Sequence, residues 1–426
     1  MGNLHGTIDA RFEPLAQILQ DQLESDHDLG ASLAVALDGQ IVTDCWGGWA
    51  DEARTEPWES DTITNVWSTT KTMTALCALI LIDRGLLDPN EKVATYWPEF
   101  SANGKEDIEV RHILSHTSGV SAWAQPVTVD DVLDDDKATE MLARQAPWWE
   151  PGTASGYHAL NQGHLVGEVI RRIDGRGLKQ FFAEEVAGPL GADFTIGAPE
   201  SERRRISDVI PPPPSPIRAE LDLQSVMVKT VTGPLLDPSV ANTAAWRDAT
   251  IGAANGHGNA RSVAQIQAAI SNGGRVGDTQ LLSADTIAGI FERQSNGVDL
   301  VLAMPVSFGL GYALADPTDN FGVTGGRVCY WGGLGGSIVI NDLDHRITMA
   351  YMMNRMQAGL VGNDTSAARS RSRFPSLSMF RRWVSRSDSR NSRCRGGRTR
   401  ITGRKSCEEI PAFEHLAISA IPELGG

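Results

Sequence analysis

The segment from residue 68 to residue 84 constrains the fold of this chain more than any other part of it. Its sequence, STTKTMTALCALILIDR, is apolar on nearly every face, and Gly85 follows at a position suited to a helix C-terminus. A helix without a polar face is expected to lie buried at the centre of a protein. Lys71 is the exception, because burying an unpartnered cation is costly and a cation in the first turn opposes the helix dipole.

Ser68 stands three residues before Lys71, in the only Ser-x-x-Lys sequence of the chain. Residues at i and i+3 share one face of a helix, so their side chains lie within hydrogen-bonding reach. A serine hydroxyl becomes a strong nucleophile when a base removes its proton, and a lysine can be that base if burial lowers its pKa from about 10.4. The spacing therefore favours a catalytic pair. The alternative is a surface lysine at a frayed first turn, with Ser68 as a simple N-cap.

Strand-like patterns stand at both ends of the chain, with helical patterns between them. The strand-like runs cover residues 31–36, 41–48, 308–314, 327–331, 336–341 and 346–353. The helical patterns lie near residues 108–115, 130–145, 160–173, 178–186 and 261–271. This order predicts an α+β fold, in which an antiparallel sheet built from both ends packs against a mostly helical insertion.

The same order suggests three units. We expect a discontinuous sheet domain from residues 1–60 and 255–362, a mostly helical domain over 61–254, and a basic, disordered tail over 363–426. Residues 365–405 contain twelve arginines, one lysine and a single aspartate, with almost no apolar periodicity. The preceding residues carry 48 acidic and 25 basic side chains, a balance that would repel nucleic-acid phosphates. Nucleic acid is therefore not an expected partner, and the role of the tail stays open.

A cytoplasmic protein without a membrane segment is the simplest expectation. No run of about 18 apolar residues occurs, and the first residues lack the basic start and apolar stretch of a secretory signal. The five cysteines show no Cys-x-x-Cys pair and no metal-like spacing with histidine, which is typical of free thiols in a reducing compartment. Neither a metal nor an organic cofactor is expected.

Longer motifs extend the Ser-x-x-Lys pair. The stretch VWSTTKTMTALCALILIDRGLLDPNEKVATYWPEF is followed by IEVRHILSHTSGVSAW, by PGTASGYHALNQGHLVGEVIRRIDGRGLKQFFAEEVAGPLGA and, near the end, by WGGLGGS. Together they resemble the serine β-lactamase and penicillin-binding-protein superfamily, and more narrowly the class C-like group that includes the family VIII carboxylesterases. The resemblance spans residues 10–362 and implies a β-lactamase-like fold, with an antiparallel sheet flanked by helices and a mostly helical domain.

The second motif of that superfamily begins with a tyrosine and usually reads Tyr-x-Asn; here it is Tyr157-His158-Ala159. The resemblance implies that Ser68 is the nucleophile and that Lys71 and Tyr157 transfer its proton. Ala159 replaces the Asn that contacts amide-bearing substrates in lactamases, which weakens the lactamase interpretation. His158 either reaches the substrate in place of that Asn or is a loop residue without such a role.

The third motif, Lys-Thr-Gly in lactamases, is Trp331-Gly332-Gly333 here, a variant that resembles the esterase group. By this resemblance the backbone amides of Ser68 and Leu334 form an oxyanion hole. Trp331 is expected to line the acyl pocket, and the two glycines let an edge strand lie close to the substrate.

Two further residues lie in motifs near the site. Asn255 falls where related enzymes place a substrate-facing loop, although a plain turn explains it equally well. His116, in HTSG, is expected to shape a loop beside the site.

The implied function is hydrolysis of small carboxylic esters through an acyl-enzyme. The alternatives are acyl transfer to a specialised acceptor, as in transesterases of secondary metabolism, and, from another class, a catalytically silent binding protein of the same fold. A small-molecule ester is the expected partner, and the sequence does not define the oligomeric state.

Overall fold

The computed structural model describes residues 4–124, 126–212, 222–316 and 326–357. Its strands are β1 His5–Thr7, β2 Gly30–Leu37, β3 Gln40–Gly48, β4 Ile63–Asn65, β5 Phe194–Ile196, β6 Ile206–Ser207, β7 Gly256–Gly258, β8 Arg275–Val276, β9 Thr279–Gln280, β10 Ser295–Val298, β11 Pro305–Phe308, β12 Ala313–Leu314, β13 Val328–Gly332, β14 Ile338–Asp342 and β15 Ile347–Met353. Its α-helices are α1 Glu13–Glu24, α2 Thr70–Asp83, α3 Val93–Tyr96, α4 Val110–Leu114, α5 Val129–Leu133, α6 Asp135–Arg144, α7 Gln162–Asp174, α8 Leu178–Phe182, α9 Gly188–Leu190, α10 Val226–Val231, α11 Ala244–Asp248, α12 Ala260–Ser271 and α13 Ala284–Ile290.

A nine-stranded antiparallel sheet joins the two ends of the described chain, in the order β1-β3-β2-β15-β14-β13-β12-β11-β10. At its centre β2 pairs with β15, and Ala34 lies opposite Ala350. The α+β prediction and the origin of the sheet in both ends are thereby confirmed. Pairing strands so far apart in sequence closes a long loop, which contains the helices that position the site.

The two faces of the sheet are covered by different helices. Alternate residues of a strand point to opposite faces, so Leu33 packs with α1 while its neighbour Ala34 belongs to the core shared with α12. Ala34 and Ala350 are small and fully buried, which lets α12 lie close to the sheet. Both faces are therefore dry, as expected for a layered α+β protein.

Helix α2 is the buried helix that the sequence predicts, since every residue from Thr70 to Leu81 is buried. It differs from the prediction in its first turn, because residues Trp67–Thr69 form a 3₁₀ turn and the α-helix begins only at Thr70. Gly85, with φ of +68°, follows the C-terminal end in the left-handed conformation that glycine adopts without strain. Among the described residues, no helix has the length and apolarity needed to cross a membrane.

A second, four-stranded sheet has the order β5-β7-β4-β6 and lies mostly within the region predicted to be helical. Its strands are two or three residues long, too short for an alternating pattern to be recognised in the sequence. This sheet positions the site, since β4 leads directly into the 3₁₀ turn. The division into domains stays a prediction. The basic tail, residues 363–426, lies outside the described residues.

Helix α7 approaches the loop before β7 so closely that only glycine fits at one of its positions. A Cβ atom at Gly163 would lie 2.4 Å from the backbone N of Ala253 and 2.6 Å from the backbone C of Gly252. Gly167, one turn later on the same helix, would place its Cβ 3.6 Å from Leu178, an ordinary van der Waals distance.

We therefore expect Gly163→Ala to lower the free energy of unfolding by about 1–3 kcal/mol, because the backbone of the loop must move. Gly167→Ala is the matched control, and its higher helix propensity should leave stability unchanged or raise it by up to about 1 kcal/mol. Denaturant unfolding of both variants measures the difference. Equal stabilities for the two variants would contradict the close approach.

Candidate active site

Ser68 lies in a tight turn between β4 and α2. Trp67, the residue before it, has a φ of +49°, a conformation that costs on the order of 1–3 kcal/mol for a residue other than glycine. The turn is held by Thr70, whose hydroxyl donates to the carbonyl oxygen of Trp67 at 2.6 Å and accepts from the N–H of Gly256 at 2.8 Å. The turn therefore holds Ser68 at the start of the central helix, where its side chain keeps a small exposed fraction of 7%.

Lys71 is buried directly beside Ser68. Its Nζ lies 3.1 Å from Ser68 Oγ, 2.7 Å from the carbonyl oxygen of Ala159 and 3.0 Å from that of Ala253. In the described part of the chain, no carboxylate lies within ion-pair distance of this lysine. Burial without a counter-charge lowers its pKa well below the usual value for a lysine.

The three contacts of Lys71 decide which way a proton can move. A backbone carbonyl can only accept a hydrogen bond, so Ala159 and Ala253 take two N–H groups of the lysine. When Lys71 is a neutral amine it has two hydrogens and one lone pair, and the remaining direction is toward Ser68 Oγ. The amine is thus oriented to accept the serine proton. Lys71 is buried, so the alternative of a surface lysine at a frayed first turn does not apply.

Tyr157 packs beside Lys71 and completes the cluster. Its hydroxyl accepts from Trp331 Nε1–H at 3.2 Å, and its ring lies 4.7 Å from Lys71 Nζ. Burial raises the pKa of the Tyr157 hydroxyl well above its usual value. Since the indole N–H can only donate, the phenol keeps its own proton for Ser68 or for an oxygen of a ligand.

The turn after β13 packs against the turn that carries Ser68. A Cβ atom at Gly333 would lie 2.4 Å from the carbonyl oxygen of Val66 and 3.0 Å from Cβ of Trp67, so a side chain there would push the two turns apart. The Ser337 hydroxyl fastens the contact, donating to the Val66 carbonyl at 2.8 Å and lying 3.0 Å from Thr69 Oγ1. Gly332 remains in the strand, paired with Ile338.

This contact bears on the predicted oxyanion hole. Within the described residues, the backbone N–H groups of Ser68 and Leu334 have no protein acceptor, whereas the N–H of Gly333 donates to Ser337 O at 2.7 Å. Two uncommitted N–H groups on adjoining turns are what an oxyanion hole requires. The role of Ser68 and Leu334 as its donors stays a prediction.

Trp331 is enclosed by aromatic rings, and its expected role in lining the acyl pocket stays a prediction. It is 2% exposed, and its ring packs against Tyr157 at 5.1 Å, Phe308 at 5.4 Å and His116 at 6.1 Å between ring centroids. An indole so enclosed has little surface left to line an acyl pocket. Its observed contact with the reacting groups is the hydrogen bond to the Tyr157 hydroxyl.

The contacts of Asn255 favour the alternative of a plain turn, and its role in substrate binding stays a prediction. Its side chain is fully buried, with Oδ1 accepting from the N–H of Ile251 at 2.9 Å and Nδ2 donating to the carbonyls of Trp246 and Ala249 at 2.9 and 2.8 Å. These bonds shape the loop whose Ala253 carbonyl contacts Lys71.

His158 does not replace the missing Asn either. Its Nε2 lies 2.6 Å from Ser118 Oγ and its Nδ1 lies 2.7 Å from the Gly156 carbonyl, so both ring nitrogens are occupied. Burial lowers its pKa to about 3, which keeps the ring neutral. Of the two alternatives, these contacts favour a loop residue over one that reaches the substrate.

Sequence reasoning missed one ionisable residue of the site. Asp299 is fully buried and its Oδ1 accepts from the N–H of Tyr157 at 3.0 Å. The only signal in the sequence is a single acid in the apolar run VDLVLAMPV, which does not reveal its partner. His116, expected to shape a loop, contacts the Tyr157 ring with 4.9 Å between ring centroids.

The chain is similar to known proteins in sequence and in fold. A family model described as "Beta-lactamase" matches residues 15–371. The chain belongs to the beta-lactamase family. It is 35% identical over 372 residues to the esterase/beta-lactamase LipL of Mycobacterium tuberculosis (strain ATCC 25618 / H37Rv), a match that covers 84% of this chain and 85% of LipL.

Two solved structures are similar over almost their whole length. A family VIII carboxylesterase superposes with a TM-score of 0.82 and 35% identity, covering 90% of this chain and 99% of that one. A penicillin-binding-protein homologue from Caulobacter crescentus gives a TM-score of 0.81 and 31% identity, covering 90% and 100%. The β-lactamase-like fold and the resemblance to family VIII carboxylesterases are thereby confirmed for this beta-lactamase family member.

The environment of Lys71 predicts the pH dependence of Ser68 reactivity. Labelling of Ser68 by a fluorophosphonate should lose rate as pH falls through the lowered pKa of Lys71, because the protonated amine cannot take the serine proton. The basic plateau should therefore begin well below pH 10. Labelling rates followed by intact mass between pH 5 and 10 measure this.

Lys71→Met serves as the companion variant, since it removes the amine while keeping an unbranched apolar side chain. Loss of a general base typically lowers the rate by about 10²–10⁴-fold. A wild-type labelling rate in a folded Lys71→Met protein would contradict the assignment.

Proposed function

We propose that this chain is a serine esterase that hydrolyses small carboxylic esters through an acyl-enzyme on Ser68. The observation that carries the proposal is the 3.1 Å approach of Lys71 Nζ to Ser68 Oγ, with two carbonyls fixing the direction of the amine lone pair. The similarity to LipL, whose name includes esterase, and to a family VIII carboxylesterase supports the choice of ester.

Acylation begins when Lys71 takes the proton of the Ser68 hydroxyl. Ser68 Oγ then bonds to the ester carbonyl carbon, and the carbonyl oxygen becomes an oxyanion stabilised by the N–H groups of Ser68 and Leu334. One such donor typically contributes about 3–4 kcal/mol. As the carbon–oxygen bond to the alcohol breaks, the Tyr157 hydroxyl donates its proton to the leaving oxygen, and Lys71 returns the serine proton to Tyr157.

Deacylation repeats these steps with water in place of Ser68. Water gives a proton to the neutral Lys71 and its oxygen attacks the acyl carbon. Collapse of the second tetrahedral intermediate breaks the bond to Ser68 Oγ. Tyr157 donates its proton to this oxygen, and Lys71 passes the proton taken from water to Tyr157. The carboxylic acid leaves, and every proton is restored. The residues named here supply the acid, the base and the nucleophile of the reaction.

The second and third motifs favour an ester over a β-lactam. Ala159 offers its carbonyl to Lys71 and has no side-chain amide for a substrate. Trp331 occupies the place of a lysine and directs its N–H to the Tyr157 hydroxyl. No cation of the third motif is therefore available for a lactam carboxylate. Since the name of LipL also includes beta-lactamase, nitrocefin belongs in the substrate panel.

The alternatives keep the same geometry but differ in outcome. Acyl transfer uses the same acyl-enzyme with an alcohol or amine as acceptor instead of water. A silent binding protein is disfavoured because Ser68, Lys71 and Tyr157 lie together, with Lys71 Nζ 3.1 Å from Ser68 Oγ and 4.7 Å from the Tyr157 ring centroid. A cytoplasmic location remains a prediction, in keeping with the buried free thiols of Cys45, Cys77 and Cys329.

Purified protein should hydrolyse 4-nitrophenyl acetate and butyrate, and Ser68→Ala should remove turnover to below about 10⁻³ of wild type, since the nucleophile is absent. Ser121→Ala is the matched control, because this serine is also buried but is bonded to Thr230 at 2.7 Å. Nitrophenolate release and fluorophosphonate labelling are measured for each protein.

Turnover that survives in Ser68→Ala would contradict the proposal. Turnover that increases with added alcohol, with formation of a new ester, would instead identify acyl transfer.

Trp331→Phe should lower kcat about five- to tenfold with little change in KM. The phenyl ring keeps most of the packing but removes the hydrogen bond to Tyr157, worth about 1 kcal/mol. Trp123→Phe is the control, since it removes a similar N–H bond, to the Ala138 carbonyl at 2.9 Å, elsewhere in the core. A kcat equal to that of wild type in Trp331→Phe would show that this bond does not act in catalysis.

A further inference from the structure

Three consecutive backbone N–H groups around Tyr157 are bound by only two residues. The N–H of Gly156 donates to the carbonyl of His116 at 2.9 Å, and the N–H of His158 donates to His116 Nδ1 at 3.1 Å. Between them, the N–H of Tyr157 donates to Asp299 Oδ1 at 3.0 Å. We call His116 and Asp299 the tyrosine clamp.

His116 is held in a conformation that a histidine rarely adopts. Its φ is +63°, in the left-handed region, and its side chain is buried against Tyr157 and Phe308, with ring centroids 4.9 and 4.8 Å away. Strain of this kind persists only where surrounding contacts enforce it, and it is concentrated at functional sites. The backbone carbonyl of His116 binds the N–H of Gly156 and its ring binds the N–H of His158, so both parts of the residue hold the tyrosine segment, residues 155–158.

The bond from His158 N–H fixes the protonation of His116. Nδ1 can accept only in the neutral ring with its proton on Nε2. Burial lowers the pKa of His116 well below its usual value, and the nearby ionisable groups, His158 and Lys71, lower it further. The ring is therefore neutral and serves as an acceptor.

Asp299 binds the tyrosine segment from another element. Its Oδ1 accepts from the N–H groups of Tyr157, Val301 and Leu302, at 3.0, 2.9 and 2.9 Å. The N–H of the next residue, Leu300, donates to the carbonyl of Ser155 at 2.8 Å, which closes a second link between the two segments. In the described chain, no lysine or arginine is paired with this carboxylate, so backbone N–H groups are its ligands.

In the described residues, neither member of the clamp is hydrogen-bonded to Ser68 or Lys71. Any influence on the reaction must pass through Tyr157, whose hydroxyl lies at the end of a long rigid side chain. A small tilt of the backbone moves that oxygen away from Ser68, and a displacement of about 1 Å can lower a rate by about 100-fold.

We propose that His116 and Asp299 are positioning residues that fix Tyr157 for proton transfer. The proposal rests on the esterase function proposed above and adds two residues to it. The negative charge of Asp299 also raises the pKa of the Tyr157 hydroxyl, which favours the protonated phenol that the leaving group needs.

Three substitutions of His116 separate the contribution of its ring acceptor from that of its left-handed backbone. His116→Asn keeps an acceptor near the Nδ1 position and tolerates the left-handed backbone, so kcat should stay within about threefold of wild type. His116→Gly relieves the backbone strain but removes the acceptor, and His116→Ala removes the acceptor and keeps the strain. Both should lower kcat about 10- to 100-fold with little change in KM. Recovery of full activity in His116→Gly would mean that the acceptor has no role, and would overturn the clamp.

A double-mutant cycle tests whether the effect passes through Tyr157. In a Tyr157→Phe background, His116→Ala and Asp299→Ala should each cause no more than a twofold further loss of kcat, because the group they position is already absent. Asp299→Asn keeps a carbonyl acceptor and should lose less activity than Asp299→Ala. Losses that simply multiply would indicate a general structural role and would overturn the proposal.

Hydrogen exchange gives a readout that needs no activity. Backbone N–H exchange in residues 155–158 should be at least tenfold faster in His116→Gly than in wild type, and unchanged in His116→Asn. Unchanged exchange in His116→Gly would overturn the clamp even if the protein is an esterase. Conversely, turnover that survives in Ser68→Ala would reject the acyl-enzyme on Ser68 while accelerated exchange still supports the clamp.

Discussion

The burial of Lys71 among backbone carbonyls, with no carboxylate of the described residues within ion-pair distance, is the constraint on which the site depends. A buried ammonium would need an opposite charge, and two carbonyls give only partial compensation. The neutral form of the amine is therefore favoured, and the same carbonyls orient it. Other elements serve this arrangement: Asn255 shapes the loop that carries Ala253, and Gly163 lets helix α7 lie against that loop.

Burial also assigns the roles of base and acid to Lys71 and Tyr157. Burial disfavours the charged form of both groups. It therefore lowers the pKa of Lys71, which favours the neutral amine, and raises the pKa of Tyr157, which favours the protonated phenol. A base and an acid thus stand on either side of Ser68. This pairing resembles the general arrangement in which two groups with opposed environments share acid and base duties.

The parts of the site that are local in sequence could be predicted, and those made by the backbone could not. The Ser68–Lys71 pair follows from helical spacing, and the sheet follows from strand patterns at both ends. Tyr157 and Gly333 required a family resemblance, since nothing local links them to Ser68. For Asn255 two interpretations stayed open in the sequence, because its position in a motif does not tell whether an amide faces a substrate or the backbone. Asp299 escaped notice because its partners are N–H groups, which every residue has.

The contact between Val66 and Gly333 has a consequence for the order of events during synthesis. Ser68 and Lys71 leave the ribosome long before β13, β14 and β15, so the residues of the first helix are synthesised before the turn that packs against them. A nascent chain that ended before Trp331 would have the Ser-x-x-Lys pair but would lack the indole N–H that binds the Tyr157 hydroxyl and the second turn beside Ser68. Since β15 pairs with β2 at the centre of the sheet, and pairing of strands so distant in sequence is slow, the complete site is expected to form only after translation has passed the last strand.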